Sequence, residues 1–198
     1  NRINKNDDRG KNIKWGGILE INRDIYLNRL IMRKQNGFIK VITGIRRCGK
    51  SYLLNKIFYN YLLSEGVDKN HIIRFAFDSA DDLLLIDEDI LDISEQNRKV
   101  DPRKFMKYLA GKIVDDEMYY LLLDEVQLLG NFEAVLNGYM RKDNLDIYVT
   151  GSNSKFLSSD ILTEFEGRGD EIHVLPLSFS EFYSAYDGSK DEAFDDYM

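Results

Sequence analysis

The 198-residue chain has a single cysteine, Cys48. One thiol cannot close an internal disulfide, and no second cysteine is present to help hold a structural zinc ion. A reducing cytoplasmic compartment is the expectation. No stretch approaches the roughly 18 uncharged apolar residues that mark a membrane-spanning helix. The N-terminal NRINKNDDRGKNIKW is polar and lacks the apolar stretch of a secretory signal. No membrane partner is therefore expected. The two histidines, His71 and His173, lie far apart without carboxylates at metal-binding spacing, so both are expected to pack rather than to ligate. No internal repeat or low-complexity block interrupts the chain. What remains has the composition of an ordinary globular protein, 43% hydrophobic and 31% charged, and is long enough to bury a sizeable core.

The net charge of −7 conceals an asymmetry. Basic residues crowd the first part: Arg2, Lys5, Arg9, Lys11, Lys14, Arg23, Arg29, Arg33, Lys34 and Lys40. The rest is acidic, with runs such as DSADD, DEDILD and DEAFDD. A basic arm can touch nucleic acid. No aromatic-studded platform accompanies this one, and the acidic remainder argues against broad phosphate contact. The basic segment reads as a solvated leader, with nucleic-acid binding left open.

Residues 1–20 read as a loosely ordered polar leader. A helix is expected over 21–35, ended by Asn36-Gly37. Strand and helix signals then alternate: strand 38–44, helix 51–66, strand 71–79, an ambiguous stretch 80–100, helix 101–117, strand 118–126, helix 132–142, strand 145–152, helix 154–165, strand 170–178 and helix 179–186. Asp101 with Pro102 suits a helix start, and Asn131 is a candidate cap. The alternation predicts an α/β fold, a largely parallel sheet with helices on both faces. The closing SKDEAFDDYM begins an amphipathic pattern, as expected of a chain cut before a further domain.

GIRRCGKS, from Gly44 to Ser51, carries the clearest chemistry. Gly44, Gly49, Lys50 and Ser51 fit the pattern G-x-x-x-x-G-K-[ST] between a predicted strand and a predicted helix. Glycines let backbone N–H groups wrap a phosphate, and the following helix turns its unpaired amides and dipole toward it. Lys50 should reach the β- and γ-phosphates of ATP, and Ser51 should offer its hydroxyl to Mg²⁺. Ile45, Arg46, Arg47, Cys48 and Tyr52 complete the cofactor-binding stretch. The two arginines either add positive potential or point outward, and Cys48 is read mainly as a small residue that fits.

YYLLLDEVQ supplies the second half. Asp124 falls at the end of an apolar strand, where open α/β sheets bind ligands, and should hold Mg²⁺. Glu125 can activate the attacking water. In IYVTGSNS, Ser152 or Asn153 could contact the γ-phosphate or that water, or could cap the next helix. Arg168, between two glycines, suits an arginine finger, or it pairs with Glu166, Asp170 or Glu171. NKND (4–7) mimics a guanine-reading element, but it precedes the loop and no D-x-x-G follows, so a GTPase is discounted.

GIRRCGKS, YYLLLDEVQ, YVTGSNSKFLS and GRGDEIHVLPLSFSEF together resemble a prokaryotic group of AAA+ ATPases carrying a C-terminal domain of unknown function. The resemblance covers residues 21–198, with that domain lacking. It implies an AAA+ core with a central five-stranded parallel sheet. It places Lys50, Ser51, Asp124 and Glu125 in the roles argued above, Ser152 or Asn153 at the sensor position, and Arg168 at the finger position. ATP at the interfaces of a homo-oligomer is also implied. Mg-dependent ATP hydrolysis driving a conformational or remodelling task is the expected activity. A P-loop kinase acting on a small molecule and an ATP-holding regulatory module with little turnover are the alternatives. The kinase is disfavoured because no arginine cluster follows the sheet strands.

Overall fold

The computed structural model describes residues 21–95, 98–152, 165 and 167–198. Five strands form one sheet: β1 (Ile39–Thr43), β2 (Ile72–Ala76), β3 (Tyr119–Asp124), β4 (Leu145–Thr150) and β5 (Gly169–His173). Their spatial order is β2-β3-β4-β1-β5, and every neighbouring pair is parallel. All the strand C-termini therefore open on the same edge, where the P-loop, Asp124-Glu125 and Thr150 meet.

Side chains alternate across a strand, and this alternation divides the apolar residues between two cores. Ile39, Val41, Phe75, Leu121, Leu123, Ile147 and Val149 face one side. They pack with Leu83 of α3 (Ala80–Leu84), Ile93 of α4 (Ile90–Glu95), Phe105 and Leu109 of α5 (Pro102–Lys112), and Val135 and Leu136 of α6 (Phe132–Tyr139). Ile42, Tyr120, Leu122, Tyr148 and Ile172 face the other. Against them lie Tyr26 and Leu30 of α1 (Asp24–Met32) and Leu53, Leu54, Phe58 and Leu62 of α2. Helix α2 runs continuously through Lys50–Tyr52, a π-helical segment Leu53–Phe58, and Tyr59–Ser64.

The ambiguous stretch 80–100 contains two short helices, α3 and α4. Ser79 caps α3 by accepting the Asp82 amide. Asp101 caps α5 through the Arg103 amide, with Pro102 in the first turn, as the sequence predicts. Asn131 is not a side-chain cap: it takes a left-handed φ of 49° and makes no capping bond. Strand β3 stops at Asp124 because Glu125 turns left-handed, at φ 51°. The leader 1–20, the NKND element and most of the predicted helix 154–165 lie outside the described residues. Residues 178–198 form a separate unit of two helices, α7 (Phe179–Ser184) and α8 (Lys190–Tyr197). Ser178 and Ser189 start them with capping boxes to Glu181 and Glu192.

The basic segment is not simply solvated. Arg23 is buried, Arg33 donates to Asp170 at 2.8 Å, and Lys40 is fully enclosed against Asp146. Asp146 Oδ2 accepts from the Gln35 amide at 2.9 Å and from the Tyr148 hydroxyl at 2.8 Å. Burial pushes the Lys40 ammonium below the usual lysine range, against the opposing pull of Asp146 and Asp170.

Candidate functional site

The loop after β1 is shaped by backbone constraints. Gly44 has φ 139°, and a Cβ there would lie 2.2 Å from the Val174 carbonyl oxygen and 2.9 Å from Cys48 Sγ. Only glycine fits such an approach. Gly44→Ala is expected to destabilise the fold by on the order of 2 kcal/mol through clash and left-handed strain, read as a lower denaturant midpoint at unchanged slope. Ile45, Arg46 and Arg47 form the exposed crest, with Arg47 at φ 66°. The arginine side chains are therefore turned to solvent. Cys48 is buried in the core with Tyr26, Leu53 and Val174, so its thiol packs and only its backbone belongs to the loop.

Gly49, at φ 95°, turns the chain into α2. Lys50 is only 4% exposed, and its ammonium donates to the Gly44 and Ile45 carbonyls at 2.9 and 3.0 Å. It thereby holds its charge against the loop. Ser51 and Tyr52 are exposed on the first turn. The loop is braced from below by Arg23, whose guanidinium donates to the Cys48 carbonyl at 2.9 Å and to the Leu175 carbonyl at 2.7 Å while lying 4.6 Å from the Tyr26 ring centroid.

Strand order places the tip of β4 between the P-loop strand and the acidic strand. Thr150 joins them: its hydroxyl donates to Asp124 Oδ1 and accepts the Glu125 amide at 3.1 Å. Asn55 donates its amide to Asp124 Oδ2 at 3.2 Å. Asn55 lies in the π-helical part of α2, a conformation often found at functional sites. Ser152 Oγ donates to Glu125 Oε2 at 2.8 Å, and Gln127 Nε2 donates to the same oxygen. A further carboxyl, Asp78, stands nearby. Burial first, then the charges of Asp124 and Glu125, push its pKa up from the usual carboxylate range.

Lys50, Ser51, Asp124, Glu125 and Ser152 thus gather at one edge. Asn153 lies outside the described residues. Arg168 is placed elsewhere: Gly169 pairs with Ile39, so Arg168 is level with the residue before β1 while the loop begins after its end, about 20 Å away at a strand's rise per residue. The expected surface pairings with Asp170 and Glu171 are also not made. Asp170 is held by Arg33 and Asn36, and Glu171 accepts from Thr43 at 2.5 Å. His71 packs edge-on against Tyr119 as expected, but His173 is exposed, with Nδ1 2.9 Å from Thr43 Oγ1.

Asn55, Asp78, Gln127, Thr150 and Arg23 enter the site without a sequence signal of their own. Gln127 stands inside the YYLLLDEVQ motif and Thr150 lies in a predicted strand, but neither position says which way its side chain points. Arg23 sits in what reads as an ordinary amphipathic helix start.

The residues present suit a magnesium nucleotide. Gly44 and Gly49 both take positive φ, 139° and 95°, the turn by which a backbone wraps a phosphate, and each Asp124 oxygen accepts one bond from the described residues and keeps a lone pair. Mg²⁺ at such sites takes one carboxylate, one hydroxyl, phosphate oxygens and water, so no cluster of acidic ligands is needed. None of three or more metal-ligating side chains occurs among the described residues.

A parallel β2-β3-β4-β1-β5 sheet with a phosphate loop after β1 and an acidic pair after β3 defines the AAA+ P-loop ATPase class. The chain belongs to the AAA domain family, whose pattern matches residues 36–183. An uncharacterized protein of Haemophilus influenzae is 35% identical over 166 residues, 83% of this chain and 38% of that protein. Another, from Methanocaldococcus jannaschii, is 32% identical over 166 residues, 82% of this chain and 31% of its own length. The chain therefore spans well under half of these relatives. Among solved structures, a DNA replication initiation factor matches with a TM-score of 0.52 at 17% identity, covering 94% of this chain and 57% of that one. Cdc6p from Pyrobaculum aerophilum matches with a TM-score of 0.51 at 13% identity, covering 91% and 55%. At these identities the likeness is one of fold. No described helix is long and apolar enough to cross a membrane.

Proposed function

We propose that the chain binds ATP with Mg²⁺ and hydrolyses it, coupling turnover to a conformational task in a cytoplasmic protein. The observation that supports this best is the convergence of three neighbouring strand tips, the loop after β1, Thr150 and Ser152 at β4, and Asp124-Glu125 at β3, with the last two hydrogen-bonded to each other. In this reading the amides of residues 44–51 cradle the phosphates, and Lys50 meets the β- and γ-phosphate charge. Ser51 and Asp124 hold the Mg²⁺, which neutralises charge developing on the phosphate oxygens. Glu125 accepts a proton from the attacking water as the bond between the terminal phosphorus and ADP breaks. Ser152, already bonded to Glu125, takes the sensor role.

Arg168 is too far from the loop of its own chain to act there, so its finger role belongs to the site of a second copy. Residues 21–198 act as the ATPase core, with 1–20 as a leader and a further C-terminal domain carrying the target. Calorimetry with ATP and ADP beside a phosphate-release assay tests the reading. Steady phosphate release in Mg²⁺ without an added acceptor is expected. Binding without release favours the ATP-holding module, and release only with an acceptor favours the kinase.

A further inference from the structure

We infer that Gln127 is a positioning residue for Glu125, fixing which carboxylate oxygen works on the water. The inference rests on the hydrolytic reading above. Gln127 is 8% exposed, and its side-chain amide nitrogen donates to Glu125 Oε2. Ser152 donates to that same oxygen. Two donors on Oε2 make it the less basic oxygen and fix the carboxylate plane. No bond from the described residues reaches Oε1, which leaves it as the oxygen that takes the proton.

Gln127 is itself held firmly. It lies in the tight turn Val126–Leu128, closed by Leu128 N–H on the Glu125 carbonyl at 3.0 Å. Its own carbonyl accepts from Lys99 Nζ at 2.6 Å, and the turn is tied to Val100 through a bridge with Leu129. The orienting group thus stands on a short, braced piece of backbone directly after the base.

The position also carries a cost that packing does not explain. Gln127 Oε1 is buried and accepts no hydrogen bond from the described residues. A buried, half-satisfied amide is worse for stability than an apolar side chain of the same size. The surrounding core includes Val126, Leu129 and Val100, so methionine would suit this place on packing alone. The donor on Glu125 is what glutamine supplies and methionine cannot.

Gln127→Met preserves volume and removes the donor. It is expected to keep or raise the melting temperature, to hold the ATP dissociation constant within about twofold, and to lower kcat by roughly a hundredfold, the scale of a displaced catalytic group. Wild-type kcat in Gln127→Met, or a loss confined to KM, overturns the proposal. A second measurement needs no turnover and no Gln127 variant, and it is read on Glu125→Ala shown to be folded by the rest of its spectrum. In ¹H–¹⁵N spectra of the wild-type chain the Gln127 side-chain amide should be displaced from the free-amide position, and Glu125→Ala should return it there. An undisplaced pair overturns the inference even if the chain hydrolyses ATP. A displaced pair in a chain that binds ATP without turning it over overturns the hydrolytic reading instead.

Discussion

Glu125→Gln is expected to leave ATP bound and to slow phosphate release by about 10²–10⁴-fold, the usual contribution of a positioned general base. The substitution keeps the size of the side chain and loses the basic oxygen. The Thr150 bond to the Glu125 amide is a backbone contact and survives. Binding should survive with it, because the proposed phosphate cradle lies in residues 44–51. Lys50→Ala should do the opposite. It removes the buried ammonium that spans the Gly44 and Ile45 carbonyls, so both the charge and the loop's internal staple disappear. No binding heat for ATP is expected in that variant. Titration calorimetry and phosphate release on both proteins check the pair, and unchanged release in Glu125→Gln sinks the role given to that carboxylate.

The second large effect is expected far from the loop. Asp146→Ala strips the carboxylate from Lys40, whose side chain has no exposure. Breaking a buried pair from one side typically costs about 3–5 kcal/mol, because the remaining charge is left uncompensated. Replacing both, as Lys40→Met with Asp146→Leu, should cost much less, since no charge is then left buried. The pH dependence has a definite sign. Burial lowers the Lys40 pKa in the folded chain, so between that value and the unfolded one the unfolded state holds more protons. Stability from this group therefore rises with pH across that window. Losing Asp146 removes the opposing pull and lowers the folded pKa further, which widens the window downward. Denaturant midpoints of Asp146→Ala measured from pH 7 to 10 should climb more steeply than those of the wild type.

The parallel α/β architecture is legible because it depends on periodicity. Runs such as FIKVIT and YYLLLD could only be strands buried on both faces, and the amphipathic stretches between them had to cover those faces. The stretch 80–100 was not legible because its two helices are too short to show a period. Glu125 ends β3 two residues before the predicted end at 126, since a left-handed turn leaves no hydropathy trace. Among the basic residues, composition could not separate Lys40, enclosed in the sheet, from its solvated neighbours. That distinction depends on Asp146, which is remote in sequence and adjacent only after β4 pairs with β1.

By itself the sequence determined the phosphate loop, the acidic pair and the alternation of strands and helices. Each is a local pattern whose chemistry is carried by neighbours along the chain. The tertiary structure alone decided the orientation of the Asp124 and Glu125 carboxylates. Asn55 reaches Asp124 through a π-helical widening, Thr150 reaches both acids because β4 lies between β1 and β3, and Arg23 braces the loop from outside it. It likewise placed Arg168 at the opposite end of the sheet from Gly44, because parallel register sets residues one before β1 and one after it a full strand length apart. Hydrogen-bond direction and strand order are properties of the packed chain, and no spacing rule in one dimension contains them.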